Sequence, residues 1–161
     1  MNAKILFAFV LAVNICIITA TAQVYSYSVS VKTADKEFSS HDGKIKISVL
    51  SSDSVKTSQE DFVLTPNDIE IKKDETYNYA IPLIAPLENI TSVYLRWTLA
   101  SPYNPYYAIK KPKIYFDSVT LVSTYIVPFI HQIGSKNRKF CPETIPIGIE
   151  HADGATFNPC T

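Results

Sequence analysis

The sequence predicts an all-β fold, an antiparallel β-sandwich of about eight strands in two sheets. Three observations lead there. From residue 25 onward, apolar and polar residues alternate with period two through most of the chain. Turn-forming residues separate these runs at short intervals. No stretch carries the 3.6-residue periodicity of a helix of three or more turns. Each predicted strand has one apolar face, so two sheets must pack face to face to bury them. With only 4 glycines against 10 prolines, proline supplies most of the punctuation.

The elements follow in order. Tyr25, Tyr27, Val29 and Val31 alternate with Ser26, Ser28, Ser30 and Lys32, a half-buried strand with a polar outer face. Asp42-Gly43 reads as a turn, after which Ile45, Ile47 and Val49 alternate with Lys44, Lys46 and Ser48. Ser51 to Ser54 reads as a polar loop, and Phe62 with Leu64 marks a short strand ending at Pro66-Asn67-Asp68. Ile69 and Ile71 precede a charged turn from Lys72 to Glu75. Tyr77, Tyr79, Ile81 and Leu83 alternate next, and Pro82 assigns this strand to an edge or a bulge because proline donates nothing to a ladder. Val93, Leu95, Trp97 and Leu99 alternate with Tyr94, Arg96 and Thr98, the cleanest strand of the chain, with Trp97 facing the core. Ile114, Phe116, Val119 and Leu121 predict a long strand whose phase slips near Asp117-Ser118. Tyr125 to Ile133 is apolar and interrupted by Pro128, and Phe140 leads into a cysteine-containing tail.

Residues 1–22 read as a secretory leader. Lys4 supplies the positive start, Ile5 to Val13 and Ile15 to Ile18 the apolar core, and Ala20-Thr21-Ala22 the cleavage site before Gln23. Removing those 22 of 161 residues leaves 139, read as one domain spanning 23–161 in an extracellular protein. No later run reaches the roughly 18 apolar residues of a membrane span. Residues 101–161 carry 6 basic and 4 acidic side chains while residues 23–100 carry 8 and 11, so no basic excess of the kind that nucleic-acid binding needs is present.

Cys16 belongs to the leader, and Cys141 and Cys160 remain as an even pair in an oxidising compartment, where a disulfide is expected. Their spacing fits no zinc-ligand set. Asn89-Ile90-Thr91 is an N-glycosylation sequon.

The tail Lys139-Phe140-Cys141-Pro142-Glu143-Thr144, running on to Asn158-Pro159-Cys160, resembles the end of secreted triglyceride lipases of the pancreatic and lipoprotein lipase family. There it closes the C-terminal β-sandwich, the PLAT (or LH2) domain. Tyr25 to Val31, Asp42 to Val49, Leu95-Arg96-Trp97, and Ala108 to Lys111 with Lys113 to Phe116 are similar, in that order, to successive strands of the same domain. Two segments depart from the family pattern. Ser118 to Lys136 is longer and more apolar than the short hairpin expected there, and His151-Ala152-Asp153-Gly154 is added between the cysteines.

A lipase catalytic domain requires a G-x-S-x-G nucleophile elbow, and none of Gly43, Gly134, Gly148 and Gly154 frames a serine in that way. The expectation is therefore a protein that is not an enzyme. The resemblance implies that the loop Ser101-Pro102-Tyr103-Asn104-Pro105-Tyr106-Tyr107 engages lipid. Tyr103, Tyr106 and Tyr107 would enter the interface, with Lys110 and Lys111 beside them for anionic headgroups. No cofactor is expected. Calcium, which some PLAT domains bind through acidic loops, would here require Asp35, Asp42 and Asp53 to converge. His41, His131 and His151 read as scattered single residues. The favoured function is a secreted, non-catalytic module for a lipid or lipoprotein surface. The second reading is a secreted protein-binding module, docking a partner or competing for a lipase cofactor, as in saliva or venom.

Overall fold

Strand alternation of this kind needs partners, and the ten strands find them in two antiparallel sheets packed over one core. The computed structural model describes residues 24–103, 105–108, 111–127 and 132–161, the side chains of residues 106, 108, 126, 127 and 132 excepted. The expected leader, residues 1–22, lies outside the described residues. The strands are β1 (Tyr25–Thr33), β2 (His41–Ser52), β3 (Thr57–Val63), β4 (Ile69–Ile71), β5 (Thr76–Leu83), β6 (Ile90–Leu99), β7 (Lys113–Val127), β8 (Gln132–Cys141), β9 (Ile147–Glu150) and β10 (Gly154–Pro159). Ten are found among the described residues where about eight are expected; β4 and β9, at 3 and 4 residues, are too short to show a period of their own.

One sheet runs β5-β1-β7-β8, with β9 also on β7. The other runs β3-β2-β6-β10, with β4 also on β2. β10 belongs to both. Gly154–Phe157 pairs with β6, and Asn158 and Pro159 pair with Cys141 and Phe140 of β8. The inward side chains are the apolar halves of the alternating runs. Tyr27, Val29 and Val31 of β1 meet Ile45, Ile47 and Val49 of β2, Val93, Leu95 and Trp97 of β6, and Phe116, Val119 and Leu121 of β7 in one buried cluster. Each such side chain contributes roughly 1.5–3 kcal/mol of transfer free energy, which opposes the entropy of ordering the chain. Tyr27 satisfies its buried hydroxyl by donating to the Ala85 carbonyl at 2.9 Å, and burial pushes its pKa up to about 12.

Three sequence expectations hold. Among the described residues β5 is an edge strand bonded only to β1, with Pro82 facing outward. β7 slips its register against β1, where Lys32 pairs with Ser118 and Thr33 with Phe116, so Asp117 is the extra residue of a bulge. Trp97 is fully buried. Two expectations are corrected. Asp42-Gly43 is not a turn but the start of β2, with Gly43 paired to Ile69 on one side and Leu99 on the other. Glycine stands there because a Cβ would collide with the backbone carbonyl oxygen of Thr98. The turns instead use Phe38, Asp74 and Ala152 at φ of 60°, 55° and 64°. Ser51 and Ser52 are not loop but the end of β2, where the Ser51 and Ser58 hydroxyls bond across to β3 at 2.8 Å.

Cys141 and Cys160 form the expected disulfide, with Cα atoms 5.1 Å apart across 19 positions. It locks the end of β8 to the end of β10. Replacing both by serine should lower the unfolding free energy by about 3 kcal/mol, through the freed entropy of the unfolded chain. Urea denaturation of the double variant measures it, and an unchanged midpoint would mean that β10 holds without the bridge.

Candidate functional site

β6 and β7 end and begin on the same end of the sandwich, and the chain between them, residues 100–112, carries the tyrosine loop. Pro102 and Pro105 restrict the backbone, and Pro105–Ala108 makes one 3₁₀ turn, a use of proline at a first helical position. Tyr103 projects outward and is 93% exposed. Tyr107 lies the other way, partly buried against the core. The tyrosines thus divide into one free ring and one anchor. The side chain of Tyr106 and the whole of Lys110 lie outside the described residues.

Between the loop and the sandwich is a hollow of about 440 Å³, lined by Leu99, Pro102, Tyr103, Pro105, Tyr107 and Pro112, with Lys111 and His151 at polar points. The lining is mostly apolar with a few polar groups, the usual character of a small-ligand or surface-binding cleft. Lys111 is 73% exposed at its side chain, yet its Nζ lies 3.2 Å from Glu150, and Lys113 approaches the other oxygen at 3.1 Å. Hydrogen bonds from Lys113 and Lys111 hold the Glu150 carboxyl below its ordinary pKa. Two lysines facing one glutamate leave a single net positive charge beside the hollow, so Lys111 is a shared cation rather than a free one.

His151, which lines the hollow, belongs to a stacked aromatic group. Trp97 donates its indole N–H to the Ile149 carbonyl at 2.7 Å. The His41 ring stacks on it at 5.8 Å and 11°, and the His151 ring meets it edge-on at 6.1 Å and 70°. His151 Nδ1 accepts from the Leu99 backbone N–H at 2.9 Å, which assigns the proton of its neutral ring to Nε2. The added segment His151 to Gly154 is the turn joining β9 to β10. It is seated by Ala152 N–H donating to the Trp97 carbonyl at 3.1 Å and by Arg96 donating to the Ala152 carbonyl at 3.0 Å. His41 and His151, read from the sequence as ordinary single residues, flank one tryptophan; His131 lies outside the described residues. No local signal marks them, because positions 41, 97 and 151 meet only through sheet pairing. The hollow's Leu99, Pro112 and His151 were likewise missed.

The calcium triad does not assemble. Asp42 lies at the start of the long strand β2 and Asp53 just beyond its other end, separated by roughly 35 Å at ~3.3 Å per residue. Asp53 instead accepts from the backbone N–H groups of Val55 and Lys56, both at 2.8 Å, which lowers its pKa. Among the described residues no three His, Cys, Asp or Glu side chains group around a metal position. No helix among them is long and apolar enough to cross a membrane. Asn89 closes a 3₁₀ turn, Leu87–Asn89, on the end of the sandwich opposite the tyrosine loop, and it is half-buried.

The PLAT/LH2 domain family matches residues 27–160, and the chain belongs to that family. PLAT domains are in general non-catalytic modules that mediate lipid or protein interactions. No curated protein matches the chain in sequence. Solved structures with the same fold include an engineered LOX crystallised anaerobically in complex with arachidonate, at 14% identity and a TM-score of 0.56, covering 86% of this chain and 17% of that one. The alpha toxin from Clostridium absonum matches at 15% identity and a TM-score of 0.52, covering 86% of this chain and 32% of the toxin. The chain thus spans a minor part of both.

His41 Nε2 is buried and has no hydrogen-bond partner among the described residues. Burial lowers the His41 pKa, against weaker opposing effects from the Phe38 backbone and Asp42. The unfolded chain takes up the proton more readily than the folded one. Stability is therefore full above the ordinary imidazole pKa and is lost as pH falls through the lowered folded value. Urea denaturation followed by Trp97 fluorescence should give a lower midpoint at about pH 5 than at about pH 7.5, and His41→Phe should shrink the difference while keeping the stack. An equal pH dependence in both proteins would show that His41 is not the titrating group.

Proposed function

We propose that the protein is a secreted, non-catalytic module that docks on a lipid or lipoprotein surface through the Tyr103–Tyr107 loop. The observation that carries this is the Tyr103 ring, 93% exposed at the tip of a proline-stiffened loop over a mostly apolar hollow. A tyrosine suits a lipid–water boundary, because its ring is apolar and its hydroxyl is polar. Two prolines near it reduce the entropy lost on docking. Tyr107, packed on the core, holds the loop in place, and the net positive charge of the Lys111–Glu150–Lys113 group lies beside it for an anionic headgroup. In this reading Tyr106 and Lys110 join the same surface by their place in the sequence. Family membership supports the class of function, since lipid interaction is one of the two roles of PLAT domains. Secretion follows from the leader-like residues 1–22, and an N-glycan at Asn89 would then sit away from the loop.

The test is co-sedimentation of the protein, freed of residues 1–22, with phosphatidylcholine vesicles, with and without phosphatidylglycerol. Transfer of one tyrosine ring from water is worth about 1.5 kcal/mol. Tyr103→Ser should therefore weaken binding roughly tenfold. Rising salt should weaken only the share of binding added by phosphatidylglycerol. If the wild-type protein stays in the supernatant with every vesicle, the lipid reading is wrong and a protein partner takes its place.

A further inference from the structure

We propose that the outer edge of β8, from Ser135 to Lys139, receives an extended peptide segment that carries acidic side chains at alternate positions. The proposal is independent of the lipid reading. β10 shows that this edge accepts an antiparallel strand. Asn158 and Pro159 pair with Cys141 and Phe140, and Cys160 N–H donates to the Lys139 carbonyl at 3.0 Å. The Lys139 carbonyl therefore points away from β7. Backbone groups on one side of a strand recur at every second residue, so those of Asn137 and Ser135 point the same way. Neither residue has a backbone partner on that side among the described residues, and both are exposed. An incoming strand would lie in line with β10 and take up these groups, the mode of recognition in which a peptide adds a strand to a sheet edge.

The edge is preformed. Lys136 to Lys139 pair with Ser123 to Thr120 of β7, and those residues pair with Tyr27 to Ser30 of β1. Arg138 is held as well. Its Nη1 donates to the carbonyls of Ile90 at 2.8 Å and of Leu87 and Glu88 at 3.3 Å, and its guanidinium lies 5.7 Å from the centre of the Phe140 ring. A side chain already fixed in this way loses little freedom when a carboxylate reaches its other nitrogens.

Charge identifies the occupant. β8 carries Lys136, Arg138 and Lys139 and no acid. Lys32, Lys72, Lys73, Lys111 and Lys113 each face a carboxylate, whereas the three cations of β8 form no ion pair among the described residues. Lys136 and Arg138, two positions apart, share one face of the strand and line a hollow of about 650 Å³ with Leu87, Glu88 and Asn137. Two cations against the one acid, Glu88, leave that hollow net positive. Acidic side chains at every second position of an incoming strand would stand opposite Lys136 and Arg138, and opposite charges across a strand pair attract. A second copy of the chain is a poor occupant, because antiparallel pairing about Asn137 would set Lys136 against Arg138. Lipid headgroups offer charge but no strand to complete the ladder.

The probe is a labelled synthetic peptide of about eight residues that alternates glutamate with valine, read by fluorescence anisotropy. It should bind the wild-type protein, and Lys136→Glu with Lys139→Glu should weaken binding about tenfold or more. The same peptide with a central proline keeps its charge but cannot complete the ladder, and it should also bind about tenfold more weakly. A lysine–valine peptide should not bind. Hydrogen exchange of the Ser135 and Asn137 amides should slow when the glutamate–valine peptide is present. Ser135→Pro should lose the peptide while unfolding close to the wild-type temperature, because the N–H it removes faces away from β7. Tyr103→Ser should bind the peptide as wild type does. Failure of the glutamate–valine peptide to bind overturns the proposal. So does equal binding of the proline peptide, or unchanged exchange at Ser135 and Asn137 with the peptide bound. If the charge reversal releases phosphatidylglycerol vesicles but not the peptide, the cations serve lipid and the proposal is overturned as well.

Discussion

The structure depends on one strand serving two sheets. β10 spends Gly154 to Phe157 on β6 and its last two residues on β8. Phe157 drops into the core from the first half, and the Cys141–Cys160 bridge fixes the second half, with Cys160 N–H donating to the Lys139 carbonyl at 3.0 Å. Without that crossing, β6 and β8 would both present open edges on the same side of the molecule. A short strand of 6 residues with divided pairing has little hydrogen bonding to spare on either sheet, which is the physical reason for a covalent tie at its end.

Once that side is closed at β10, the connecting loops gather at the two ends. The faces of the sandwich are ladders with alternating polar residues, and a ladder residue has little freedom to reposition. The loops gather at two ends, and the two ends differ. At one, a proline-stiffened turn holds Tyr103 beside a hollow lined by His151, whose ring meets Trp97 edge-on. At the other, β7 and β8 extend past their neighbours and carry apolar side chains without neighbouring strands to cover them.

Family membership sets the class of function and leaves the target open. PLAT domains serve lipid and protein interactions, and the same fold here matches parts of a LOX and of a clostridial toxin at about one residue in seven. The ends of the sandwich are where this chain has its own additions. His151, at the start of the added turn, lines the hollow, and β7 and β8 stay paired past the end of β1.

By itself the sequence determined everything that depends on neighbours along the chain. Period-two alternation named the inward residues of β1, β5, β6 and β7. Pro82 marked an edge, the phase slip at Asp117 marked a bulge, and the ending around Cys141 and Cys160 marked a PLAT-type tail and its disulfide. Only the tertiary structure decided what depends on register between strands distant in sequence. Gly43 looked like a turn residue because Asp-Gly is a local turn signal, yet its role is set by the Thr98 carbonyl, more than fifty positions away. His41, Trp97 and His151 share no spacing and form one stack. Lys111 looked like a free cation and is held by Glu150 from the β7–β9 pairing. Asp42 and Asp53 looked close enough to converge and are separated by the length of the strand between them. Alternation is written in each strand separately, whereas contact between strands is chosen by the packing of all of them together.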